Sequence, residues 1–147
     1  MGGGLGQRVT RLTIRTPGRA LVPVTEPVRR WAEAQGFATG LLTIWCRHTS
    51  ASLLVQENAD PDVLADLLDA FAGLAPDGGA ERYRHAAEGP DDMAAHIRAA
   101  LTQTQLSVPM DGGRLVLGTW QGLYLFEHRH APHARELVLH LMGEAAA

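Results

Sequence analysis

Seven histidines occur in this 147-residue chain, and four of them stand where an inert surface imidazole is not the first reading. His48 ends the apolar run "GLLTIWCRH" and opens the polar cluster "HTSAS". His85 follows Tyr83 in a loop, and His96 lies among the apolar positions of "DDMAAHIRAAL". His128 ends "GLYLFEH", where alternation puts Tyr124, Phe126 and His128 on one face and Leu123, Leu125 and Glu127 on the other. Neutral imidazole is the commonest metal ligand, and three of them with an open position suit a catalytic zinc-like ion. The spacing forms no local motif such as H-E-x-x-H, so the fold must assemble any such site. Taken singly, an inward histidine reads first as a hydrogen-bonded core residue, and it is their number that points to a site.

The neighbouring acids divide in the same way. Asp91 and Asp92 open a helix, where the dipole favours negative charge, and capping accounts for one of them. The second is free to orient a ligating histidine or to act as a general base. Glu127 reads either as an acid or base beside His128 or as a solvated strand end. In "GTWQG" the glycines permit close backbone approach, so Thr119 and Gln121 can cradle a phosphate or carboxylate; a β-bulge is the plain alternative. His130 and His133, around Pro132, and His140, in an apolar strand, read as structural, and Cys46 reads as a buried small hydrophobe.

These groups need a scaffold. Residues 8–16 read as a strand ended by Pro17-Gly18, with a short segment "ALVPV" after it. Thr25 caps a helix running to about Gln35 and stopping at Gly36. Residues 38–48 form a strand buried on both faces, and 50–58 another. Asp60 caps a helix with Pro61 first and a stripe of Val63, Leu64, Leu67, Leu68 and Phe71. Residues 75–85 are a loop. Gly89-Pro90-Asp91-Asp92 starts a third helix, whose inward stripe is Met93, Ile97, Ala100, Leu101 and Thr104, with His96 on it. Strands at 105–110, 113–120 and 122–130 follow, with Asp111-Gly112-Gly113 turning a hairpin, and 134–142 closes the sheet. The expectation is α+β: one domain over 1–147, a two-layer sandwich-like fold of mixed or antiparallel strands with about three helices. Residues 1–6 and 144–147 read as frayed tails.

Composition bounds the function classes. Thirteen Lys and Arg against sixteen Asp and Glu leave a net charge of −3 with no basic block, which argues against a generic nucleic-acid binder. One cysteine excludes an internal disulfide and any Cys-rich zinc module. No apolar stretch approaches a membrane span and no signal peptide is evident, so the expectation is a cytoplasmic protein without a membrane partner.

Three stretches, "RHTSASLLVQENADPDV", "YRHAAEGPDDMAAHIRAALTQTQLSVP" and "GRLVLGTWQGLYLFEHR", resemble the YjbQ-like family over residues 8–143. The resemblance implies a compact α/β sandwich-like domain, assembly as a homotrimer, and a polar, histidine-rich site near the subunit boundary. For some members it implies secondary thiamine-phosphate synthase activity. It also implies shared positions at His48, Thr49, Ser50, Asn58, Asp60, His85, Glu88, Asp91, Asp92, His96, Gly118, Thr119, Trp120, Gln121, Glu127 and His128. His130, His133 and His140 fall outside that set. One departure is Ala94, where the family motif has proline; the helix start survives it.

Two functions follow as expectations. In the first, the chain is a metal-assisted enzyme for a small phosphorylated substrate. His85, His96 and His128 bind a divalent, zinc-like ion, or Mg2+ with a diphosphate substrate. His48 and Ser50 lie beside the substrate, and Asp91, Asp92 or Glu127 handles a proton. Thr49, Asn58, Gly118, Thr119 and Gln121 bind the substrate. In the second, the same cluster makes a non-catalytic trimer that binds a phosphorylated metabolite or anion.

Overall fold

The computed structural model describes residues 4–146. In chain order the elements are β1 (Gly6–Thr16), β2 (Ala20–Pro23), α1 (Thr25–Glu33), β3 (Thr39–Cys46), β4 (Ala51–Glu57), α2 (Pro61–Leu74) and α3 (Asp92–Leu101). The chain ends with β5 (Gln105–Asp111), β6 (Arg114–Leu115), β7 (Gln121–Glu127) and β8 (His133–Glu144). One sheet has the order β1-β8-β3-β5-β6, the other β2-β7-β4, and every pairing is antiparallel. The α+β class, the three helices and the packed antiparallel sheets agree with the sequence reading.

Period-two alternation builds the space between the sheets. Leu42 and Ile44 of β3, Val108 and Met110 of β5, and Leu137, Leu139 and Leu141 of β8 face Leu53 of β4 with Leu123 and Leu125 of β7. Val28 and Ala32 of α1 complete this core. The other face of β7 carries Tyr124 and Phe126, covered by Leu64, Leu67, Leu68 and Phe71 of α2. Phe71 meets Phe126 edge-on at 5.2 Å and 82°. The strand buried on both faces is therefore β7. The expectation of that role for β3 is corrected: Leu41 and Trp45 are 47% and 49% exposed, because no helix among the described residues covers the outer face of the larger sheet.

Several boundaries differ for identifiable reasons. Thr25 is the first residue of α1 rather than its cap, because its hydroxyl is engaged by Leu123, accepting from N–H at 2.9 Å and donating to C=O at 3.4 Å. Asp60 caps α2 as expected, accepting from the Asp62 N–H at 2.9 Å. Val63 stands outside the α2 stripe that meets the core. The strand expected over 113–120 is only Arg114–Leu115: the Val116 N–H still donates to the Pro109 carbonyl at 2.9 Å, but proline has no N–H to return the bond and the pairing ends. At that turn φ is 57° and 78°, the left-handed pair a two-residue hairpin requires. β8 does not close the sheet but lies between β1 and β3. The tails are shorter than expected: Gly6 pairs with Gly143, and Glu144 with Thr39. The remainder of that expectation, residues 1–3 and 147, lies outside the described residues.

The inward face of α3 is also not the expected one. Asp92, Ala94, Ala95 and Arg98 are buried, while Leu101 is 57% exposed. The alanines allow the helix to approach closely, Asp92 is paired with Arg129, and Arg98 makes one bond, to the Ala75 carbonyl, with its Nε and Nη1 buried and without a partner among the described residues. His96 is thereby turned to the rim.

Candidate functional site

One end of the sandwich gathers the ends of β1, β3 and β7, the starts of β4 and β8, and α3. The registers Thr16↔His133 and Ala51↔Glu127 fix this meeting point. At its base Glu127 is fully buried against Arg135, which donates from Nε at 2.7 Å and also from Nη2. Thr16 Oγ1 donates to the same carboxylate at 2.7 Å, and the Arg129 N–H donates at 3.2 Å. Burial opposes ionisation of Glu127, but the Arg135 and Thr16 hydrogen bonds outweigh it and hold the carboxyl below its usual range. Every lone-pair direction of Glu127 is thus occupied. This acid fixes the chain crossing and has no free capacity for proton transfer.

Above it, Arg129 clamps the start of α3. Its Nε donates to Asp91 Oδ2 at 3.0 Å, Nη1 to Asp92 Oδ1 at 2.6 Å and Nη2 to the Glu88 carbonyl at 2.9 Å. Gly89 makes this approach possible: its φ is 108°, and a Cβ there would stand 3.2 Å from Asp91 Oδ1. Asp91 occupies the N-cap position without capping, so that expectation is corrected. Its Oδ2 accepts instead from the His130 N–H at 2.8 Å. Burial alone would raise its pKa; Arg129 and the His130 amide bring it down to about 2.

The second acid holds the two histidines. Asp92 Oδ2 lies 2.6 Å from His85 Nε2 and 3.3 Å from His96 Nε2, with all three ligand atoms within 4.8 Å of one another. Burial pushes the Asp92 carboxyl up, and His85, Arg129 and His96 more than offset it, so its pKa falls. The two rings meet edge to face at 5.5 Å and 70°. Two imidazoles and one carboxylate with open solvent-side positions are a donor set that fits a zinc-like ion, and the Arg129 bond to Asp92 supplies the outer support such ligands use.

His96 also borders an open cleft of about 590 Å³ lined by Trp45, Cys46, Arg47, His48, Thr49, Ala99, Ala100 and Thr104. His48 Nε2 accepts from the Glu136 N–H at 2.8 Å, which anchors the ring to β8. Ser50 Oγ accepts from Arg135 Nη2 at 3.0 Å. Cys46 is buried as expected, and burial raises its thiol pKa.

The expected ligand set of His85, His96 and His128 is not the set the structure brings together, because Asp92 takes the third place. His128 is fully buried, with Nε2 2.8 Å from Ser52 Oγ. Thr102 Oγ1 donates to the Arg98 carbonyl, so Ser52 donates to Thr102 and accepts from His128 Nε2–H. Burial first, then the Arg98 charge, drives His128 down to about 3, leaving it neutral. Arg98 is itself buried and donates from Nη2 to the Ala75 carbonyl at 3.3 Å.

The expected substrate residues are split. Thr49 lines the cleft, whereas Asn58, Gly118, Thr119 and Gln121 lie at the far end of β7, roughly 20 Å away along the strand. There the polar groups bond one another: Gln121 Oε1 accepts from the Gly118 N–H at 2.8 Å, and Asn58 Nδ2 donates to the Thr119 carbonyl at 3.4 Å. Within one chain they do not join the histidines. His130 bonds Asp77 and His140 bonds Gln7, both at 2.8 Å, consistent with structural roles.

Arg129 and Arg135 were missed by the sequence reading. The alternation of β8 carried a signal for Arg135, since it shares the inward face with Leu137, Leu139 and Leu141, and a buried guanidinium requires a carboxylate. Arg129 had no comparable local signal.

A family model described as UPF0047 protein YjbQ-like matches residues 10–144. A UPF0047 protein of Synechocystis sp. is 53% identical over 133 residues, covering 90% of each chain. YjbQ of Escherichia coli O157:H7 is 39% identical over 134 residues, covering 90% of this chain and 96% of its own. Among solved structures, a conserved hypothetical protein of Thermus thermophilus superimposes with a TM-score of 0.76 at 38% identity, over 88% of this chain and 97% of that one. A hypothetical protein of Aeropyrum pernix reaches 0.84 at 29% identity, over 92% and 98%. These likenesses span the candidate site as well as the sheets.

Proposed function

The chain belongs to the YjbQ-like UPF0047 family, and from that premise we propose that it is a metal-assisted enzyme acting on a small phosphorylated substrate in the cytoplasm. The observation that carries this reading is the His85–Asp92–His96 group at the rim of an open cleft. Asp92 and the two imidazoles would hold a zinc-like cation, or Mg2+ delivered with a diphosphate. Such an ion supplies charge neutralisation at phosphoryl oxygens or at a leaving diphosphate.

The protein's own groups divide the remaining work. Arg129 fixes Asp92, Glu127 and Arg135 hold the chain crossing beneath, and His48 and Thr49 border the space where substrate would lie. A thiamine-phosphate synthase-like transfer, joining an aminopyrimidine methyl diphosphate to a thiazole phosphate with loss of diphosphate, is the specific reaction we place first for assay. We further propose a homotrimer, its copies meeting over the uncovered face of the larger sheet around Leu41, Trp45 and Met142. Trp45 belongs both to that face and to the cleft, so a neighbouring copy would stand beside the site.

A second reading is a non-catalytic trimer that binds a phosphorylated metabolite. Saturation of Glu127 and Asp91 by arginines favours it, since neither acid is free to move a proton.

The deciding experiment is elemental analysis and Zn(II) titration of untagged protein, beside His85→Ala and His96→Ala. The enzyme reading expects one site per chain, lost in both variants. Equal Zn(II) binding by all three proteins, or none by the parent, would sink it.

A further inference from the structure

His48 offers the cleft a hydrogen rather than a lone pair. The Glu136 backbone N–H donates to His48 Nε2 at 2.8 Å, and an amide nitrogen can only donate. Nε2 is therefore unprotonated, and a neutral ring must carry its hydrogen on Nδ1. Burial, followed by the charge of Arg135, lowers the His48 pKa and favours that neutral ring. Nδ1 has no hydrogen-bond partner among the described residues, and His48 is one of the residues that line the cleft.

The rest of the lining agrees with this polarity. Arg47, Thr49, Thr104 and His96 border the cleft with His48, and no carboxylate does, in a chain whose net charge is −3. Arg47 and its partner Glu136 are 2.6 Å apart on the outer side, so the main chain of Glu136 that fixes His48 is itself tied in place. The apolar part of the lining is Trp45 with Ala99 and Ala100.

We propose that His48 is a fixed Nδ1–H donor to a phosphate or diphosphate oxygen in this cleft, and that it does not serve as a general base. The register of β8 selects the tautomer, because the strand presents the Glu136 amide to the ring. The proposal deepens the phosphorylated-substrate reading above but does not need the cation.

The test uses the full chain labelled with 15N-histidine, with inorganic phosphate and pyrophosphate as probes and no metal added. His48 is expected in the Nδ1–H tautomer, and its Nδ1 resonance should move on addition of pyrophosphate. His48→Ala should bind pyrophosphate about ten-fold or more weakly, the worth of one hydrogen bond to a charged group. His48→Gln, which keeps an N–H donor, should recover part of that loss. An Nε2–H tautomer, a resonance unmoved by either probe, or undiminished binding by His48→Ala would overturn the proposal. Should His48→Ala fail to fold, the tautomer and titration of the parent protein still decide it. Zn(II) titration of the same samples separates the two ideas. Intact metal binding with an unmoved His48 ends this proposal alone, whereas a shifted His48 without metal binding ends the cation reading alone.

Discussion

His85 Nε2 stands 2.6 Å from Asp92 Oδ2, so a half-exposed loop histidine is bonded to a carboxylate buried at the start of α3. The hydrogen between them occupies the position a cation would compete for. Metal binding here requires that hydrogen to move to Nδ1 or to leave, and because protons compete with the cation for the same donor atoms it should weaken as pH falls. Titration of Zn(II) at several pH values checks this directly; an affinity that does not change with pH would refute it.

Arg129 is the outer support of this group, through its 2.6 Å bond to Asp92 and its bonds to Asp91. Arg129→Ala should weaken Zn(II) binding by roughly 10–100-fold. Arg129→Lys should resemble it, because an ammonium cannot span both carboxylates. Competition with a chromophoric chelator measures the difference, and a lysine variant binding like the parent would remove Arg129 from this role.

Glu127 and Arg135 form a buried pair beneath the site. Glu127→Ala should destabilise the fold by about 3–5 kcal/mol, because it leaves a guanidinium buried without its partner. Replacing both, as Glu127→Leu with Arg135→Met, should cost clearly less. Urea unfolding of the parent and these two variants gives the comparison.

Acid stability should fall in two windows. Unfolded His128 takes a proton near its ordinary 6.5, whereas the folded ring, pushed down to about 3, stays neutral. The unfolded state binds more protons between those values, so stability present above about 6.5 is lost as pH falls towards about 3. Asp91, brought down to about 2 from 3.8, adds a further loss between those two values, on the order of 2 kcal/mol. The stability gap between the parent and His128→Asn should shrink as pH is lowered from about 7 to about 4. A gap that stays constant over that range would mean that His128 is not buried as a neutral ring.

The uncovered sheet face gives a test of assembly. Trp45→Glu or Leu41→Glu should convert the proposed trimer to monomers with little change in far-ultraviolet circular dichroism, since both side chains point away from the core. Light scattering coupled to size exclusion reads the mass. A parent protein that is already monomeric would refute the trimer.

Much of this architecture was written locally. Alternation in 134–142 and 122–128, the Asp60-Pro61 helix start and the Gly112-Gly113 turn each report a short-range constraint, so eight strands, three helices and the α+β class could be read from residues alone. The histidines His48, His85 and His96 were also legible as unusual: His48 where an apolar run meets a polar cluster, His85 in a loop after Tyr83, and His96 among apolar helix positions.

Which of them meet was decided by tertiary structure. Periodicity placed the inward face of α3 on Met93 and Ile97, but Asp92 turns inward to Arg129, and Arg98 is buried with one bond, to the Ala75 carbonyl, its Nε and Nη1 without a partner among the described residues. The same physics replaced His128 by Asp92 in the candidate metal group. His128 follows Phe126 into the interior and bonds Ser52, while Arg129, the next residue, reaches across 37 positions to the acid that holds His85 and His96. Sequence determined the elements and the kinds of side chain available for chemistry. Only the fold decided their partners, because the buried carboxylates Asp92 and Glu127 are held by arginines from other elements, and those pairings join residues that no local pattern relates.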